Sequence, residues 1–84
     1  MSAGPGPGSL KRALNAMPAD VAELLGERGL RAAYDARPAY QRNDYLGWIA
    51  RAKRPETRQK RTGQMLDELE RGDVYMNMKW SGGG

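Results

Sequence analysis

With 84 residues, no cysteine and no histidine, the chain is one small domain at most, without disulfides, thiolate metal sites or histidine-based acid–base chemistry. Its 14 Lys and Arg outnumber its 10 Asp and Glu for a net charge of +4, and apolar residues make up only 39%, so the core must be minimal. No apolar run approaches the roughly 18–20 residues of a membrane span and no charged-then-apolar leader opens the chain, so the sequence predicts a cytoplasmic protein.

Residues 1–9 combine Gly and Pro with almost nothing to bury, and ordering them costs backbone entropy without return. Residues 10–16 carry two sizeable apolar groups and predict at most a loosely docked turn, so residues 1–16 read as a tail. A helical domain is expected over residues 17–72.

The first helix, over 18–26, opens at Pro18 with Asp20 and Glu23 in the dipole-favoured opening turns. Val21, Leu24 and Leu25 form its apolar face, and Gly26 is the expected cap. A second short helix over 28–36 buries Leu30, Ala33 and Tyr34 and stops before Pro38, because the residue preceding a proline is pushed out of helical geometry.

The third helix, over 39–53, repeats Tyr45, Trp48, Ile49 and Ala52 on one face, with Gln41 a turn earlier. Trp48 is the expected central aromatic. Pro55 ends this helix and starts the fourth, over 55–71, whose stripe is Thr62, Met65, Leu66 and Leu69, with Gly72 as its stop. Four residues before Thr62 the stripe meets Arg58, which therefore needs a carbonyl near the end of the third helix or a carboxylate such as Asp35 or Asp44. Glu56 and Lys60 make an i, i+4 pair.

In residues 73–80 the period changes to two, with Val74, Met76, Met78 and Trp80 alternating with Tyr75, Asn77 and Lys79. No second strand is visible, so residues 73–84 read as an extended tail, lying on the helices or awaiting another chain. The fold class is thus all-α, a small compact bundle of four helices, two short and two long, with flexible Gly-rich termini.

The densest chemistry lies in residues 48–61, where Arg51, Lys53, Arg54, Arg58, Lys60 and Arg61 face a single acid, Glu56. These six are the candidate binding residues, with Tyr45, Trp48 and Ile49 structural. Arg58 and Arg61 read as internal struts and Arg51, Arg54 and Lys60 as a rim. An enzyme is not expected: Ser2, Ser9 and Ser81 all lie in the Gly-rich ends, no phosphate-cradling glycine loop is present, and nothing brings Glu56 to Asp44 or Asp67. No cofactor or metal is expected.

Tyr45, Trp48-Ile49, Ala52-Lys53, Glu56-Thr57-Arg58 and Arg61, preceded by the short helix pair that opens at Met17-Pro18, resemble the bacterial family described as bacteriocin-protection, YdeI or OmpD-associated. The likeness spans roughly residues 17–72. Two positions depart from it: Tyr40 stands where a serine is usual, and Thr62 where an aliphatic residue is usual. The resemblance implies a small helical domain and an association with stress or antimicrobial tolerance, and it supplies no catalytic residues. The expected function is a protein-interaction module, acting through the basic rim or the 73–80 tail. The alternative is weak, salt-sensitive nucleic-acid binding through the rim at residues 51–61, and a degenerate enzyme ranks last.

Overall fold

A computed structural model of the chain describes residues 14–80. Residues 1–13 of the tail expected over 1–16, and the flexible end at 81–84, lie outside the described residues. Four helices follow one another: α1 (Ala19–Glu27), α2 (Arg31–Asp35), α3 (Ala39–Ala50) and α4 (Pro55–Arg71). Strands β1 (Val74–Tyr75) and β2 (Met78–Lys79) complete the order. The fold is mostly helical, as the periodicity predicts. Among the described residues, no helix is long and apolar enough to cross a membrane.

Prolines set three of the helix starts. Pro18 and Pro38 cap α1 and α3 in extended geometry, with their carbonyls accepting from the Ala22 and Arg42 amides at 3.0 and 3.2 Å, and Pro55 occupies the first turn of α4. At the other end Gly72, with φ +82°, stops α4 in the left-handed conformation that glycine adopts without a side-chain penalty. Three boundaries differ from expectation. Helix α1 passes Gly26 and ends at Glu27, because the left-handed residue is Gly29 (φ +67°). Helix α2 begins only at Arg31, and α3 stops at Ala50 rather than 53, leaving a short turn to Arg54, which Pro55 holds in extended geometry.

The core gathers Val21, Leu25, Leu30, Tyr34, Tyr45, Leu46, Ile49, Met65, Leu66 and Leu69 from all four helices. Its central aromatic is Tyr45, fully buried, rather than Trp48, which is half-buried at the margin together with Leu24. Trp48 was the expected centre because sequence spacing puts both rings on one stripe. The structure turns that stripe so that Tyr45 faces α4 and Trp48 meets the flank of Arg61.

The expected tail is a β-hairpin. Val74 pairs with Lys79 and Tyr75 with Met78, and Met76 and Asn77 make the turn at φ 51° and 65°. Two left-handed residues are what a tight hairpin turn requires, and no glycine marks it. The hairpin docks through Tyr75, whose ring meets Tyr40 and Tyr45 edge-on at 6.0 and 5.5 Å and whose hydroxyl donates to Asp44 Oδ2 at 2.6 Å.

Candidate interaction surface

The turn between α3 and α4 makes a corner, and the six candidate cations divide there into two groups. Two of them hold the corner together. The Arg58 guanidinium donates to both Asp20 carboxylate oxygens, at 2.6 and 3.2 Å, tying the start of α4 to the start of α1 across 38 residues of sequence. A carbonyl near the end of α3 or a carboxylate was the expected partner, and a carboxylate is what Arg58 finds. Asp20 takes that role in place of Asp35 or Asp44, because the fold brings the opening turns of α1 and α4 together. The bond to Arg58 holds the Asp20 carboxyl below its ordinary value, with the charge adding to the same effect.

Arg61 donates through Nη1 to the Trp48 carbonyl at 2.7 Å, and its guanidinium carbon lies 5.2 Å from the centroid of the indole ring. It thereby satisfies a carbonyl in the last turn of α3, where intrahelical donors run out, while its planar cation meets the electron-rich ring face.

Arg51, Lys53, Arg54 and Lys60 form the exposed rim of the same corner. Arg54 approaches Glu56 at 4.0 Å, with both side chains more than two-thirds exposed, so the pair neutralises little. Glu56 therefore leans to Arg54 rather than pairing with Lys60. Arg51 folds back along α3, where its Nη1 would stand 3.2 Å from a β-carbon on Gly47. The rim is a compact positive surface on a backbone that the two struts fix in place.

A second polar constellation was not expected. Glu68 is buried (2% exposed) on the inner side of α4 and accepts four hydrogen bonds. Tyr45 Oη and the Met76 amide donate to Oε1 at 2.5 and 2.8 Å, and the Asn77 amide and Gln64 Nε2 donate to Oε2 at 2.8 and 3.0 Å. Burial pushes this carboxyl up, and the four donors outweigh it, leaving Glu68 below its ordinary value. The same surroundings push the Tyr45 phenol up, through burial first and the Glu68 carboxylate second.

Beside it, the buried Arg37 donates to Gln41 Oε1 and to the Glu68 carbonyl, both at 3.0 Å, while the Trp80 ring covers its guanidinium at 4.6 Å. Glu68 and Arg37 thus fasten the hairpin and the Trp80 end to the bundle. One signal for this was present in the sequence: Glu68 lies three residues after Met65 and one before Leu69, at the margin of the apolar stripe.

No curated protein and no solved structure matches the chain. A family model does, over residues 10–72, three-quarters of its length, and it covers all four helices and the corner. The chain belongs to the bacteriocin-protection, YdeI or OmpD-associated family.

Proposed function

We propose that this domain is a non-enzymatic, cytoplasmic protein-interaction module that docks an acidic protein surface on the α3–α4 corner. The observation that carries the reading is the division of labour among six neighbouring cations. Arg58 and Arg61 are tied to Asp20 and Trp48, whereas Arg51, Lys53, Arg54 and Lys60 stand exposed on the backbone those ties hold. A rim of like charges repels itself, and an anionic partner relieves that repulsion while steering its own approach. The family's description supports a role in bacteriocin protection.

A second reading, weak binding of nucleic acid, draws support from the same exposed cations, Arg51, Lys53, Arg54 and Lys60, which phosphates could equally engage. Against an extended duplex stand Asp67, Glu70 and Asp73, all exposed further along α4 and just past its end. The test is binding of an Asp/Glu-rich peptide and of a mixed-sequence DNA duplex to the full chain, each with and without Arg51, Lys53, Arg54 and Lys60 changed to Gln. The reading expects the peptide to bind and the fourfold variant to lose it. Peptide affinity that survives the four changes sinks the assignment of the corner.

A further inference from the structure

A groove runs between α1 and α4 on a face separate from the rim. Its floor is Leu24, Thr62 and Leu66, its near end is closed by the Asp20–Arg58 pair, and Gln59 and Gly63 form the α4 bank. Gly63 sits in the middle of a 17-residue helix, where glycine is a poor helix former. Nothing inside the domain requires it: a β-carbon built there meets no atom within 4 Å. The absence of a side chain keeps the groove open at its middle.

Past the far end of the groove, beyond Leu24 and Leu66, the exposed helix surface is acidic. Glu27 lies one turn beyond Leu24 on α1, and Glu70 one turn beyond Leu66 on α4, with Glu23 on the outer flank of α1; all three are exposed and, among the described residues, none is in an ion pair. Asp67 is 3.9 Å from Arg71 and counts for less, and Arg28 at the end of α1 offsets part of the charge beside Glu27. The groove is therefore apolar along its floor, closed by a neutral pair at one end and followed by negative surface past the other.

We infer that this groove binds a cationic amphipathic helix from a partner protein or peptide. Its α4 bank, from Arg58 to Leu66, spans about two helical turns, at 1.5 Å per residue, which suits apolar anchors at i, i+3, i+4 and i+7. Leucine-sized side chains lie over Leu24 and Leu66, the backbone of the bound helix comes close at Gly63, and its Lys or Arg side chains meet Glu27 and Glu70. The inference goes beyond the basic corner, whose ligand has the opposite charge.

The experiment titrates the full chain with a labelled Leu/Lys peptide of about 18 residues, long enough to hold a helix, with Leu on one face. A scrambled peptide of the same composition and a Leu/Glu version of the same pattern serve as comparisons. The amphipathic Leu/Lys peptide is expected to bind at least about tenfold more tightly than either. Gly63→Met, which fills the groove from an outward position and favours the helix, is expected to weaken binding about tenfold with the melting temperature held or raised. Glu27→Lys with Glu70→Lys is expected to weaken it at low salt and less at high salt. Equal binding of the scrambled peptide, or affinity unchanged by Gly63→Met, overturns the inference. So does self-association of the chain alone that Gly63→Met abolishes, since the occupant is then a second copy.

Discussion

Tyr45 and Glu68 are 23 residues apart in sequence and 2.5 Å apart in space, and through that bond the centre of the core and the hairpin turn share one carboxylate. The amides of Met76 and Asn77, both left-handed, point at the same carboxylate. The hairpin is thus shaped by an anion inside the bundle.

Replacing Glu68 tests this directly. Glu68→Gln keeps the shape but turns one acceptor into a donor facing an amide that also donates. The expected loss is roughly 2–3 kcal/mol, from a broken bond and a buried group left without a partner. Urea unfolding measures the loss, and hydrogen exchange at Met76 and Asn77 should accelerate far more than at core amides of α3.

The pH profile follows from the same site. The folded Glu68 carboxyl sits below its unfolded value of 4.5, so its stabilising contribution is complete above that value and is lost as pH falls through the folded one. Asp20 behaves alike from 3.8 downwards. Tyr45 is raised from 10.0, so its contribution is complete below pH 10 and is lost as pH rises toward the folded value. Melting temperature should be flat between about pH 5 and 9.5 and fall on both sides. In Glu68→Gln the acid-side fall should shrink, and in Tyr45→Phe the alkaline one.

The helices, their proline starts and the Gly72 stop were legible in the sequence because each rests on local geometry. Trp48 and Tyr45 were not ranked correctly, because spacing gives a face and not its depth. The hairpin was hidden for two reasons. Its turn is Met76-Asn77 without glycine, and the group that stabilises it, Glu68, is contributed by a distant element. At the corner, the cations were legible as a cluster. Arg58 and Arg61 were readable as struts from their place beside the apolar stripe, but their partners, Asp20 and the Trp48 carbonyl, were not, because only the tertiary packing fixes those positions.

The revised core reverses an expectation about the aromatics. Tyr45→Ala removes a fully buried ring and the donor to Glu68, and should cost about 3–5 kcal/mol, enough to unfold a domain this small. Trp48→Ala, at the margin, should cost less and leave a cooperative melt. Thermal denaturation of the pair decides the order.

Gly47 carries a subtler prediction. The Asn15 amide donates to Asn43 Oδ1 at 2.7 Å, and Asn15 Nδ2 lies 2.9 Å from where a β-carbon on Gly47 would stand. Gly47→Ala should therefore displace Asn15 while gaining up to about 1 kcal/mol of helix propensity in α3, leaving overall stability nearly unchanged. The reading is local: the Asn15 amide should lose its exchange protection with no matching fall in melting temperature.

The salt dependence of binding at the α3–α4 corner tests the proposed function most directly. The full chain is titrated with the Asp/Glu-rich peptide and the DNA duplex from about 50 to 200 mM salt, with and without Arg51, Lys53, Arg54 and Lys60 changed to Gln. The account predicts that the peptide binds and that the four changes abolish its binding without unfolding the domain. Three phosphate contacts, from Arg51, Arg54 and Lys60, would give the duplex a slope of about −3 in log affinity against log salt, and poor affinity at physiological salt. Nanomolar duplex affinity at physiological salt, or peptide binding that survives the four changes, would contradict it.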